Sequence, residues 1–141
     1  METKNKKAVC AIIKNINGDI VSVSRKYNHE LFGLVGGKVD AGETIYQAIV
    51  REIKEETGLI VDISDLELID DQIYGTNRDT TYHQHCFYVH KTYRVNEIYD
   101  DETAKSKGEG LVRWVSKEFL SNGFFGDYNK KMLELSETKL V

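Results

Sequence analysis

The stretch REIKEETG at residues 51–58 constrains this chain more than any other, because it places three glutamates within five residues of a helix-forming segment. Like charges three or four positions apart on a helix repel by about 0.2–0.5 kcal/mol per pair. Thr44 and Gln47 read as a capping box at the helix start, and Gly58 followed by Leu59 as its stop. At about 100° per residue, with Ile45 as zero, Ile49, Ile53, Tyr46 and Val50 fall on an apolar arc from about 40° to about 140°. Glu55 falls near about 280°, Glu52 near about 340° and Glu56 near about 20°. The carboxylates therefore overlap the edge of the core-facing stripe, with Glu56 between the directions of Ile45 and Ile49.

A solvated charged face is the ordinary meaning of such a run. Two features argue against it here. Lys54, the nearest basic residue, points away near about 180°, and a carboxylate on the core side needs a partner, since desolvating an unpaired charge is unfavourable. Hard oxygen donors converging at a half-buried edge suit Mg²⁺ or Mn²⁺. The preceding segment, GGKVDAGE at residues 36–43, ends where the helix begins, so its glycines can bring backbone groups close to a ligand there.

Gly37, five residues, Glu43, seven residues and then REIKEETGL match the pattern G-x5-E-x7-R-E-U-x-E-E-x-G-U, where Ile53 and Leu59 fill the aliphatic positions. In this the chain resembles the Nudix hydrolases. Nine fixed positions across 23 residues make the match specific, although it covers only about a sixth of the 141-residue chain. The resemblance implies an α/β fold, an α/β/α sandwich around a central mixed sheet. It also implies hydrolysis of a nucleoside diphosphate linked to another moiety, with Mg²⁺ or Mn²⁺ as cofactor. On matching positions it makes Glu52, Glu55 and Glu56 metal ligands or, for one of them, the water-activating base. The Gly37 carbonyl becomes a further ligand, and Arg51 and Glu43 a pair orienting the loop against the helix. Arg25 matches a place where relatives often contact phosphate, with an ordinary solvated strand arginine as its competing role; Lys38 is a second phosphate candidate, and Leu34, by its position beside the loop, is expected near the nucleobase. A further acid from a late loop is expected, with Glu97, Asp100, Asp101, Glu102 and Glu109 all candidates. Many relatives carry a proline before the paired glycines; here Val35 stands there, and the chain has no proline at all.

The formal charge of −4 excludes the electrostatic footprint of a binder of nucleic-acid polymers. It also means that a polyphosphate ligand needs a cation to neutralise it. No apolar run approaches the roughly 18 residues of a membrane span, and the basic N-terminus lacks the apolar core of a secretory signal. Cys10 and Cys86, far apart in sequence, form no disulfide framework, so a reducing cytoplasmic setting is expected. Residues 1–141 are read as one domain, either monomeric or homodimeric.

Elsewhere, residues 8–15 and the alternating segment IVSVSRK, joined by NGD, read as a hairpin. Residues 31–43 read as a strand opening into a loop, and VDISDLELID and TYHQHCFYVHKTY as further strands. Residues 94–110 read as a long polar loop, LVRWVS as a last strand and DYNKKMLELSETKL as a terminal helix. His83 and His85 share one strand face while Cys86 takes the other. Without a C-x-x-C or H-x3-H partner they fall short of a zinc set, and read as sheet-lining or substrate-facing residues.

Chain length favours a MutT-type (deoxy)nucleoside triphosphate, intact or oxidised, cleaved to a monophosphate and pyrophosphate. The alternatives are a dinucleoside polyphosphate, for which Tyr74 is suitably spaced, and a nucleotide sugar. A non-catalytic Nudix-like nucleotide-binding module predicts a damaged glutamate set, unlike this one. Asn122, Phe124 and Tyr128 are candidates to close the pocket, with packing or capping as their competing roles.

Overall fold

The computed structural model describes residues 4–75, 80–123 and 125–139. In chain order its elements are β1 (Lys4–Asn15), β2 (Ile20–Arg25), β3 (Asn28–Lys38), α1 (Ile45–Thr57), β4 (Leu66–Gly75) and β5 (Thr80–Tyr93). There follow α2 (Asp101–Ser106), β6 (Val112–Val115), α3 (Lys117–Ser121) and α4 (Gly126–Lys139). The strands form one six-stranded sheet in the order β4-β5-β1-β3-β2-β6. The β1–β5 pair is parallel and the other pairs are antiparallel.

The centre of this sheet is buried on both faces, and β1 shows it in sequence as a continuous apolar run. Val9, Ala11 and Ile13 of β1 join Ile49 and Ile53 of α1 and Phe87 of β5 in one core layer. Cys10 and Ile12 turn the other way, into a second layer with Leu120 of α3 and Met132 and Leu133 of α4. A mixed sheet between helices is therefore the architecture, as the resemblance implies. Among the described residues, no helix is long and apolar enough to cross a membrane.

Three local expectations are corrected. The hairpin of β1 and β2 is reduced to a single registered pair, Lys14 with Ile20. From there β3 enters between them and pairs with both strands, which the turn signal alone cannot reveal. Residues 94–110 are not one loop but contain a 3-10 turn (Val95–Glu97) and α2, each opened by a capping arrangement. In VDISDLELID, residues Ile63–Asp65 form a 3-10 turn, and the strand starts only at Leu66.

The cysteines, distant in sequence, are neighbours in space. Cys10 registers with Cys86 across the parallel pair, and both are buried free thiols.

Candidate active site

Helix α1 is set as its sequence directs. Thr44 accepts the Gln47 amide and Gln47 answers with the Thr44 amide. Gly58 closes the other end in a left-handed conformation, φ 83°. Ile49 and Ile53 are fully buried, whereas Tyr46 and Val50 are only half-buried. Ala48, outside the expected arc, is fully buried instead. With Thr57, near about 120°, also buried, the buried face is widened toward the glutamates, where the end of β3 covers the helix.

The paired glycines make this approach possible. A methyl group on Gly37 would lie 2.5 Å from the Glu52 carboxyl carbon. One on Gly36 would lie 2.1 Å from the Val9 carbonyl oxygen. Glu56 Oε1 accepts the Gly36 amide at 3.0 Å. Glu52 and Glu56 thus converge on the paired glycines, which the sequence places at the mouth of a loop but which lie within β3, in register with Cys10 and Val9. Glu55 is more exposed and is drawn aside by Arg51, whose Nη1 donates to its Oε2 at 3.2 Å.

Arg51 ties the loop to the helix. Its Nε and Nη2 donate to the two oxygens of Glu43 at 2.7 and 3.0 Å. Nη2 also donates to the Lys38 carbonyl at 3.1 Å and Nη1 to Glu52 Oε1 at 2.8 Å. The Arg51 hydrogen bond, reinforced by the Asp40 amide, holds Glu43 down at about 2. Such a two-pronged pair fixes orientation as well as distance.

Of the late acids, the fold brings Glu109 to this cluster, and its charge acts on both Glu52 and Glu56. Glu97 caps its own turn by accepting the Arg94 amide, Asp100 caps α2, and Asp101 pairs with Arg113. Glu102 lines a groove with Tyr99 and Trp114. Lys26, which the sequence reading passed over for its neighbour Arg25, stands 3.9 Å from Glu109 and draws the Glu56 pKa down. Arg25 and Lys38 are exposed strand ends.

Leu34 faces away from the glutamates, packing with Tyr128 against the Cys10 layer. Tyr128 hydroxyl lies 3.4 Å from Cys10 Sγ. Asn122 lines a separate groove of about 420 Å³ with Phe32 and Phe119. Phe124 lies outside the described residues, as does the side chain of Tyr74.

Electrostatically the cluster is unbalanced. Burial, followed by the charge of Glu52, pushes Glu56 up to about 8. Burial also raises Glu52, against the opposing pull of Arg51. The donor set is entirely hard oxygen and anionic, with the β3 backbone, bare of side chains at the paired glycines, beside it. Mg²⁺ or Mn²⁺ fits that chemistry.

A pH dependence follows. The unfolded chain ionises Glu56 near 4.5 and the metal-free folded chain only at about 8. The stability linked to this proton is therefore complete below about 4.5 and is lost as pH rises toward about 8. Thermal unfolding in chelator should show a falling midpoint across that window in the wild type, and a flatter profile in Glu56→Gln.

The family profile of the NUDIX domain matches residues 4–135. A Haemophilus influenzae protein named 8-oxo-dGTP diphosphatase is 30% identical, over 98% of this chain and 97% of that one. A Methanocaldococcus jannaschii protein named ADP-ribose pyrophosphatase is 49% identical over 42% of this chain, a match that spans 36% of the archaeal protein. Among solved structures, the MutT protein of Methanosarcina mazei superposes with a TM-score of 0.71 at 21% identity, covering 95% of this chain and 96% of that one.

Proposed function

This chain belongs to the Nudix domain family, and we propose that it is a divalent-metal-dependent pyrophosphohydrolase of a (deoxy)nucleoside triphosphate, intact or oxidised. It yields the monophosphate and pyrophosphate. The single observation that carries the reading is the meeting of Glu52 and Glu56 at the Gly36–Gly37 pair near the end of β3, where the approach is too close for any side chain.

Glu52, Glu56 and the Gly37 carbonyl would hold the cation, with Glu55 and Glu109 completing the acidic wall. A divalent cation bound there neutralises phosphate charge and makes a nearby water more acidic. Arg51, fixed by Glu43 and the Lys38 carbonyl, keeps Glu52 in place. Lys26, Arg25 and Lys38 offer positive charge to phosphate from the strand ends. Water attacks one phosphorus of the diphosphate link, and the bridging P–O bond breaks. One of the glutamates takes the proton that the water gives up. Leu34 and Tyr128 form an apolar surface across the sheet for the base.

The Haemophilus relative, similar along the whole chain, favours the triphosphate. The archaeal relative supports ADP-ribose through a shorter match. The deciding experiment measures Mg²⁺-dependent product release over a panel of dNTPs, 8-oxo-dGTP, ADP-ribose and dinucleoside polyphosphates. Pyrophosphate and a monophosphate from a triphosphate are expected. Preferential turnover of ADP-ribose to AMP would replace the substrate assignment, and no turnover of any member would overturn the hydrolase reading.

A further inference from the structure

A second group of metal-binding side chains lies on the same face of the sheet, two strands beyond the glutamates. Gly37, Val9, His85 and Asp71 form one registered row across β3, β1, β5 and β4. At the ordinary strand spacing His85 is about 10 Å from Gly37. His85 shares its face with Phe87, two positions on, which packs in the α1 layer.

A bulge brings Asp71 into this row. The register shifts between Leu68 and Asp70, leaving Ile69 as the extra residue of β4. Ile69 packs into the opposite, α4 layer, and the residue set against His85 becomes Asp71 rather than Asp70. Bulges commonly re-aim a side chain in this way.

One ligand atom each from Asp71, His83 and His85 lies within 4.8 Å of the others. His83 Nε2 hydrogen-bonds Asp71 Oδ1, and His85 Nε2 stands 3.5 Å from the same oxygen. The His85–Asp71 separation of 3.5 Å is close to the roughly 3.3 Å between donors around a tetrahedral cation with bonds of about 2.0 Å, whereas the His83 ring, in direct hydrogen bond with Asp71, swings aside to ligate.

The tautomer of His85 points the same way. Its Nδ1 lies 3.2 Å from the Ala8 carbonyl oxygen, which can only accept, so Nδ1 carries a proton. The other ring nitrogen, Nε2, is left facing the Asp71 carboxylate, placed to serve as the metal-binding atom. The buried His85 ring thus presents Nε2 to the exposed Asp71 carboxylate, and a cation bound by both would satisfy the pair. A backbone carbonyl that fixes the far nitrogen is the usual companion of a metal-binding imidazole.

We propose that Asp71, His83 and His85 bind a transition-metal dication of the Zn²⁺ type, fastening the edge strand β4 to β5. Two imidazoles with one carboxylate select such an ion over Mg²⁺, which the all-oxygen glutamate cluster suits. Three protein ligands leave a further position for water. The sequence supplied only two histidines of this set, and the bulged register supplies the third ligand. The site does not depend on the hydrolase reading.

The test uses metal-free full-length protein, with Zn²⁺ and its spectroscopic substitute Co²⁺ as probes. Both ions are added to the wild type, to Glu52→Gln/Glu56→Gln, and separately to Asp71→Asn and His83→Gln. In the glutamate variant, Zn²⁺ should still raise the unfolding midpoint, and Co²⁺ should develop a visible absorption band characteristic of nitrogen ligation. Asp71→Asn and His83→Gln should abolish the band and weaken Zn²⁺ by more than the roughly 10–100-fold that follows loss of an outer-shell partner. Two variants at partly exposed positions guard against failure of one to fold. The proposal is overturned if Zn²⁺ binding survives both substitutions, or if it disappears with the glutamates, leaving Asp71 and His83 as a simple charged pair.

Discussion

Replacing Glu56 by Gln is expected to lower turnover by about 10²–10⁴-fold, the range set by loss of a proton-handling or charge-stabilising group. It should leave the metal-free fold unharmed. Both halves of this result have the same origin. Without a cation, the folded protein resists ionising Glu56, whose pKa is pushed up to about 8 by burial and by Glu52. The protonated acid and the amide are close in shape, and the amide oxygen can still accept the Gly36 amide as Oε1 does at 3.0 Å. The amide cannot supply the negative charge that draws a cation to the paired glycines. Steady-state kinetics with Mg²⁺, beside thermal unfolding in chelator, will separate the two effects. A variant that turns over at wild-type rates removes Glu56 from the site.

The second large effect distinguishes two adjacent glycines. Gly37→Ala places its methyl group against the Glu52 carboxylate, 2.5 Å from the carboxyl carbon and 2.6 Å from Oε1. The end of a side chain can move, so the fold should survive. Glu52 nevertheless leaves its position, and displacements of about 1 Å at such a group lower rates by roughly 10²-fold. Gly36→Ala meets backbone instead, 2.1 Å from the Val9 oxygen and 2.8 Å from the Cys10 Cα. Relief there requires β3 to part from β1, with a loss of about 1–3 kcal/mol of stability or more. The expected pattern is an inactive, stable Gly37 variant and a destabilised Gly36 variant. Equal losses of stability in both would show that the glycine pair serves packing alone.

Much of the glutamate site is written locally, which is why the sequence exposes it. The caps of α1 depend on Thr44, Gln47 and Gly58, and the angular order of the glutamates follows from helical geometry. Glu56, which the wheel directs most deeply toward the core, is the one whose pKa burial lifts to about 8. Glu55, at the far end of the arc, is the more exposed one held by Arg51. The choice of Glu109 from five late acids is not local. It depends on how the chain returns to β2, where Ser24 and Leu111 exchange hydrogen bonds. Asp71 was hidden for a similar reason, since a single bulged residue decides which of two consecutive aspartates faces His85. The parallel pairing that makes Cys10 and Cys86 neighbours, and the insertion of β3 beside β1, likewise have no signature within a short window of sequence. Val35 stands where the resemblance leads one to expect proline. It is a fully buried strand residue paired with Ala11, so the strand and its core contacts hold the approach to the glycines.

The most direct measurement is the anomalous scattering of Mn²⁺ in crystals grown with a non-hydrolysable nucleoside triphosphate analogue. Peaks coordinated by Glu52, Glu56 and the Gly37 carbonyl, touching the phosphates of the analogue, are the expected result. Ordered nucleotide with no manganese beside those carboxylates would contradict it.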